Sequence, residues 1–186
     1  EGVEQGIVRG LYRYREGDGK HAHRAQVLAS GTMMLQALEA QRLLAEHHDV
    51  AADVWSAPGW KQLREDALEC ERWNRLHPVD TPRTPYVTDQ LHATEGPVIA
   101  VTDFVKALPE GLARFVPQPF ITLGTDGYGF SDVRPALRRH FEVDAGHIVV
   151  AVLDGLAQQG ELKGEVVEEA IRRYEIDADA PDPRWT

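Results

Sequence analysis

The sequence predicts an α/β fold of three layers, in which a mostly parallel sheet of about five strands has helices on both faces. The main observation is a recurring unit: a short apolar run, then small or turn-forming residues, then a helical pattern. Strands that alternate with helices in this way lie parallel in one sheet. A run with β-branched and aromatic residues near the start predicts one further, antiparallel strand at an edge. The repeated strand-to-helix transitions lie at residues 30–31, 56–59, 102–103 and 124–127.

The first predicted strand covers residues 6–14, where the β-branched and aromatic content favours extended backbone. Gly17-Asp18-Gly19 then supplies a turn, and the second strand is predicted over 24–29. The two strands are therefore expected to form a hairpin or an antiparallel edge pair.

An amphipathic helix is predicted after Thr32, whose hydroxyl is expected to cap it. A strand over 50–57 follows, and a long helical pattern over 60–76 is stopped by His77-Pro78. The apolar face of the first of these helices consists of Met33, Met34, Ala37, Leu38, Ala40, Leu44 and Ala45.

The second half of the chain repeats the pattern. Residues 86–92 predict a short helix, and the continuous apolar run 97–101 predicts a buried parallel strand. Thr102 and Asp103 are expected to cap the next helix over 104–108, where Pro109 and Gly111 predict a kink or two short helices. The remaining predicted elements are a buried strand over 120–123, helices over 133–141, 144–159 and 165–174, and a Pro/Asp-rich tail over 177–186.

A loop with three glycines, Gly124, Gly127 and Gly129, follows the strand predicted over 120–123. Open α/β sheets bind ligands or partners at this end of a strand. The spacing is neither the G-x-G-x-x-G of dinucleotide sites nor a phosphate-binding P-loop, which needs a lysine and a hydroxyl. We therefore expect a structural turn or a domain contact, with Ser131 capping the helix that follows.

The composition is that of a globular protein of 186 residues, with 42% hydrophobic and 27% charged side chains. A formal charge of −10 at pH 7 argues against nucleic acid as the main partner. No apolar run approaches the ~18 residues of a membrane span, and no signal peptide is recognisable, so we expect a cytoplasmic protein with no membrane partner. The lone Cys70 fits a reducing compartment.

Candidate chemical sites are weak. Gly17-Asp18-Gly19 suggests the magnesium ligand of thiamine-diphosphate enzymes, but the only asparagine, Asn74, is far along the chain. The pairs His21/His23 and His47/His48 lack a third ligand at recognisable spacing. Asp126 and Asp132 could act as paired carboxylates, although a turn residue and a helix cap explain them equally well. Arg134, Arg138, Arg139 and His140 form a short basic patch that could bind an acidic neighbour.

Several motifs point to one family. Glu-Cys-Glu-Arg-Trp-Asn-Arg-Leu-His-Pro at 69–78 is followed by Thr-Pro-Arg-Thr-Pro-Tyr at 81–86. Further motifs occupy 4–12, 123–132, and 140–144 leading to 176–179. In this order they resemble the bacterial homodimeric pyruvate dehydrogenases, the thiamine-dependent decarboxylating components of the pyruvate dehydrogenase complex. The resemblance covers essentially the whole chain.

This resemblance implies a carboxy-terminal, transketolase-type domain of a longer polypeptide. In the family, thiamine diphosphate and Mg²⁺ are bound by two preceding domains that meet across the homodimer. The full chain would decarboxylate pyruvate and reductively acetylate the lipoyl group of the dihydrolipoyl acetyltransferase. No catalytic, cofactor-binding or metal-binding residue carries over to this chain, which by itself is expected to be inactive.

The resemblance also implies a division of the chain. Residues 1–20 are expected to be an incoming strand and turn that join the preceding catalytic domain, and residues 21–186 the transketolase-type domain with an acidic tail over 177–186. The glycine loop is expected to face the other domains or the second subunit. The candidate contact residues are Asp126, Tyr128, Phe130, Ser131 and Asp132.

Two alternatives stay open at this stage. The chain could belong to another thiamine enzyme, a transketolase or a 2-oxoglutarate dehydrogenase, although the 70–78 stretch argues against both. It could also be a free-standing scaffold module that binds a small ligand in its sheet crevice.

Overall fold

A computed structural model describes residues 3–185 and contains one five-stranded sheet. The strand order is β1-β3-β2-β4-β5, in which β2 to β5 run parallel and β1 runs antiparallel to β3. This arrangement confirms the predicted sheet with its antiparallel edge strand. The strands are β1 (Tyr12–Arg15), β2 (His23–Ala29), β3 (Val50–Ser56), β4 (Val98–Val101) and β5 (Phe120–Leu123).

Eight α-helices and three short 3-10 helices connect the strands in the described part of the chain. The 3-10 helices cover Gly31–Met33, Ala113–Phe115 and Pro183–Trp185. The α-helices are α1 (Glu4–Arg9), α2 (Met34–His48), α3 (Trp60–Leu76), α4 (Tyr86–Leu91), α5 (Ala107–Glu110), α6 (Arg134–His140), α7 (Ala145–Gln158) and α8 (Gly164–Arg173).

Helices cover both faces of the sheet, so two apolar cores form. Alternate strand residues point to opposite faces, and this alternation divides the two cores. Burial on both faces explains why β4, whose four residues are all buried, is a continuous apolar run. One core joins Val27, Val54 and Ile99 to α2 and α7 through Leu44, Ile148 and Leu153. The other joins Leu28, Trp55 and Ala100 to α3 and α4 through Leu63, Val87 and Leu91.

The beginning of the chain differs from the prediction. Residues 4–9 form helix α1 instead of extended strand, and the strand starts only at Tyr12. Gly10, at φ 95°, ends the helix and turns the chain towards the sheet edge. A hairpin with β2 is also wrong, because β2 already has β3 on one side and β4 on the other. The free edge available to β1 is that of β3.

The three predicted helix caps are wrong. Thr32 lies inside the 3-10 helix, and its Oγ1 is 3.5 Å from Oδ2 of Asp103. Thr102 accepts a hydrogen bond from the Phe104 amide at 3.2 Å and forms a turn, so α5 starts only at Ala107. Ser131 also caps nothing, since α6 starts at Arg134 and Val133 precedes it without a side-chain cap.

Three other features have clear outcomes. The interruption at Pro109 and Gly111 is confirmed, because α5 is followed by a separate 3-10 helix over Ala113–Phe115. The strand β5 lies at the sheet edge and is only half-buried, so its predicted full burial is wrong. The predicted division at residues 20 and 21 stays a prediction, with β1 forming part of the same sheet.

No helix among residues 3–185 is long and apolar enough to cross a membrane.

Candidate interaction site at the carboxyl ends of the strands

The connections that follow β4 and β5 are tied together at the carboxyl ends of the strands. We call residues 124–132 the glycine loop. Its Thr125 amide donates to the Phe104 carbonyl at 2.9 Å, and the Thr125 hydroxyl donates to the Asp103 carbonyl at 2.8 Å. The Lys106 amide donates to Oδ1 of Asp126 at 2.9 Å. Gly124 is required at this junction, since a β-carbon there would lie 2.7 Å from the Phe104 carbonyl oxygen.

A short turn near the end of the chain packs on the glycine loop. We call residues 182–185 the terminal turn. Pro183 is buried, and its carbonyl oxygen lies so close to Gly127 that a β-carbon on Gly127 would overlap it. Within the turn, the Arg184 amide and guanidinium both donate to the Asp182 carboxylate. These hydrogen bonds lower the pKa of Asp182 to about 2. The tail is therefore anchored over residues 182–185.

Large apolar side chains are exposed around this junction. Tyr128 and Trp185 are each 82% exposed. We call this group of exposed apolar side chains the strand-end surface. Exposed apolar patches of this kind commonly mark interaction sites. In addition, the backbone amides of 127–131 donate no hydrogen bond to any described residue. The surface thus offers both apolar area and unpaired donors. Its members are Phe104, Val105, Tyr128, Phe130, Val133 and Trp185.

The five predicted contact residues divide into two groups. Tyr128, Phe130 and Ser131 are exposed and available to a partner. The two carboxylates serve the backbone: Asp126 binds the Lys106 amide, and Asp132 binds the Val133 amide at 2.7 Å. Both therefore act as turn residues of the loop. The contact role of all five stays a prediction.

Residue-level reasoning missed Phe104, Val105 and Trp185. Phe104 and Val105 belong to the helix predicted over 104–108, but α5 starts only at Ala107, so both residues lie in an exposed turn. Trp185 is an isolated aromatic residue in a tail of Pro and Asp, and this unusual position was a usable signal.

A small cleft adjoins the strand-end surface. It has a volume of about 230 Å³ and an apolar lining that includes Met33, Leu137 and Phe141. Phe141 connects it to the surface, since its ring centroid lies 6.5 Å from that of Phe130. Arg134 and Arg138 flank the cleft, and neither forms an ion pair with a described residue.

A second cavity, of about 430 Å³, lies between the ends of α6 and α8. Next to it, Asp144 caps α7 and accepts hydrogen bonds from the amide and Nδ1 of His147 at 3.0 and 2.8 Å. Burial raises the pKa of Asp144, but these hydrogen bonds and the charge of Arg139 outweigh it, so the pKa falls below the ordinary value. The residues lining this cavity provide no hydroxyl or thiol nucleophile.

The weaker candidate sites have structural partners. Oδ1 of Asp18 accepts from the Lys20 amide at 3.3 Å and lies 3.2 Å from Nε2 of His21. His23 Nδ1 is 3.0 Å from Oε2 of Glu161. Burial raises the pKa of the Cys70 thiol, which lowers its reactivity. Among residues 3–185, no group of three or more His, Cys, Asp or Glu side chains is arranged to hold a metal ion.

This chain matches a family model and is similar to known proteins. A family model described as the transketolase-like TK C-terminal domain matches residues 10–144. The chain is 48% identical over 173 residues to the pyruvate dehydrogenase E1 component of Mycolicibacterium smegmatis, covering 93% of this chain and 19% of that protein. It is 47% identical over 182 residues to the E1 component of Mycobacterium tuberculosis, covering 98% of this chain and 20% of that protein.

A solved structure shares the fold. The transketolase of Campylobacter jejuni superposes with a TM-score of 0.53 and 20% identity, over 80% of this chain and 19% of that chain. At this identity the likeness concerns the fold alone. The chain spans about a fifth of the length of the curated relatives it matches.

Proposed function

The chain belongs to the transketolase-like C-terminal domain family, and from this membership we propose that it is the C-terminal domain of a pyruvate dehydrogenase E1 component. The observation that carries the proposal is the 48% identity to an E1 component over 93% of the chain. The matched region covers 93% of the chain, and the 70–78 stretch argued against transketolase and 2-oxoglutarate dehydrogenase.

The proposed parent enzyme is a cytoplasmic homodimer that uses thiamine diphosphate and Mg²⁺. It decarboxylates pyruvate and reductively acetylates the lipoyl group of the dihydrolipoyl acetyltransferase. Among residues 3–185, Asp18 contacts Lys20 and His21, and no group of three or more His, Cys, Asp or Glu side chains is arranged to hold a metal ion. The cofactor and the ion would therefore be held by the preceding catalytic domains.

The proposed role of this domain in the parent enzyme is structural. The domain is proposed to pack against the preceding catalytic domains and the second subunit, with the glycine loop facing the inter-domain surface. Its exposed Tyr128 and Phe130 lie on a loop whose carboxylates and glycines hold a defined backbone. Apolar side chains fixed in this way are typical of the central part of a protein interface.

The enzymatic part is tested with the polypeptide that carries this domain behind its catalytic domains. Pyruvate should reduce an artificial electron acceptor only when thiamine diphosphate and Mg²⁺ are present. Turnover of 2-oxoglutarate or a ketose phosphate in place of pyruvate would contradict the proposal.

The contact is tested by Tyr128→Ala and Phe130→Ala in the same polypeptide. Dimerisation, stability and pyruvate turnover should all decrease. Val79→Ala is the matched control, because Val79 is 94% exposed but follows α3, away from the strand-end surface. Unaltered dimerisation, stability and turnover in both loop variants would argue against the contact.

The small-ligand module is distinguished by calorimetry on the 186-residue chain. The chain alone is expected to bind neither thiamine diphosphate nor pyruvate. Measurable nucleotide binding would instead favour the free-standing module, with the 230 Å³ cleft as its candidate site.

A further inference from the structure

We propose that the glycine loop and the terminal turn form one composite docking surface, with Tyr128 and Trp185 as its principal side chains. Its occupant is an apolar patch, bordered by carboxylates, on the thiamine-binding part of the same polypeptide. The inference rests on the proposed function and adds to it: residues 182–185 are part of the docking surface, whereas the sequence predicted only an acidic, Pro/Asp-rich tail there.

The first support is the way the terminal turn is held. Gly127 has φ 96° and lies against the Pro183 carbonyl, with the Arg184 α-carbon 3.3 Å from the position of a β-carbon. Asp182 in turn binds both the amide and the guanidinium of Arg184. The turn and the loop therefore support each other. Tyr128 directly follows Gly127, and Trp185 directly follows Arg184.

The second support is the exposure of Trp185. A tryptophan side chain is highly buried on average in folded proteins, yet this one is 82% exposed on a turn that is otherwise anchored. Exposed tryptophan and tyrosine side chains on defined backbone are the residue types that most often dominate binding energy.

The third support is the unpaired backbone. The amides of 127–131 have no acceptor among residues 3–185. A partner that covers Tyr128 must also remove these amides from water, so it has to supply acceptors such as carbonyl or carboxylate oxygens. The neighbouring Arg134 and Arg138 also lack an ion-pair partner among the described residues and favour carboxylates in the same place.

Two observations favour this occupant: the small share of its relatives' length that this chain covers, and the positive charge of Arg134 and Arg138. This chain covers only 19–20% of its curated relatives, so about four-fifths of such a polypeptide lies outside it. Charge favours a part of that polypeptide that presents carboxylates to Arg134 and Arg138, and the dilution arm of the experiment distinguishes a second copy.

The experiment measures amide hydrogen exchange of 127–131 in the full polypeptide that contains the thiamine-binding part. Because these amides have no acceptor among residues 3–185, we expect their exchange to be about ten-fold or more slower than that of free amides only if a partner covers them. Trp185→Ala should raise their exchange rate about ten-fold, whereas Trp185→Phe, which keeps an aromatic ring, should leave it within about two-fold.

Unprotected amides in the wild-type polypeptide would overturn the proposal, as would protection that Trp185→Ala leaves unchanged. Protection that disappears on dilution to monomers would identify a second subunit as the occupant and also overturn it. Pyruvate turnover of the wild type is measured on the same preparation. If the wild type turns over pyruvate but the amides of 127–131 are unprotected, the docking surface alone is rejected. If the wild type does not turn over pyruvate, the proposed function is rejected.

Discussion

The carbonyl oxygen of Pro183 occupies the space that a β-carbon on Gly127 would need. Two segments more than fifty residues apart in the chain are thereby joined at the carboxyl ends of the strands. Glycine is required at position 127 for two reasons. A β-carbon would overlap the Pro183 carbonyl, and φ is 96°, a backbone conformation that residues with side chains rarely adopt.

Gly127→Ala is therefore expected to destabilise the chain by about 1–3 kcal/mol, through backbone strain and overlap with Pro183. Urea unfolding measures the change in the free energy of unfolding. The matched control is Gly129→Ala, because no heavy atom lies within 4 Å of a β-carbon there. The control should change stability by no more than about 0.5 kcal/mol. Equal stability of the two variants would disprove the contact.

Asp53 links three segments around the antiparallel edge. It is 2% exposed and accepts hydrogen bonds from Arg13 at 3.3 Å, Arg24 at 3.2 Å and the Gly17 amide at 2.8 Å. Asp53→Ala should cost about 1.5–3 kcal/mol, because hydrogen bonds to a charged group are lost and the Gly17 amide loses its acceptor. The arginines can turn towards solvent, which limits the loss.

Thermal and urea unfolding of Asp53→Ala provide the measurement. Asp80→Ala is the control, since Asp80 is exposed and its carboxylate has no partner among the described residues. A loss no greater than that of the control would mean that Asp53 does not connect these segments.

Asp144 predicts a pH-dependent contribution to stability. Its pKa is lowered in the folded chain, so its contribution is present above the ordinary value of 3.8 and is lost as the pH falls through the lower folded pKa. Asp144→Ala should lose about 0.5–2 kcal/mol at neutral pH, because α7 loses its cap. This loss should shrink below pH 3.8 as the native carboxyl becomes protonated.

Urea unfolding as a function of pH measures this difference. Asp144→Asn keeps a capping oxygen but no charge, so it should retain much of the stability and show little of the pH dependence. A constant difference between the native chain and Asp144→Ala across the acidic range would contradict the assignment of the lowered pKa to this cap.

The amino-acid sequence by itself determined the layered architecture and the family. Apolar runs such as 97–101, each followed by a turn and a helical pattern, can be buried only in a parallel sheet with helices on both faces. The 69–86 motifs indicated the family without any structure. Helices α3 and α7 were also predictable, because long amphipathic periodicity and the burial it requires are local properties of the chain.

Tertiary structure decided what depends on competition between distant segments. Residues 6–9 belong to the predicted strand and include the β-branched Ile7 and Val8, yet they lie in helix α1. Gly10 ends that helix, and the pairing with β3 starts only at Tyr12. Thr102 and Ser131 are suitable cap residues, yet α5 and α6 start further along the chain. Thr102 accepts a hydrogen bond from the Phe104 amide within a turn, and Val133 directly precedes α6. Likewise, only the folded chain brings Pro183 onto Gly127, because no local pattern encodes a contact between a tail and a loop on the sheet.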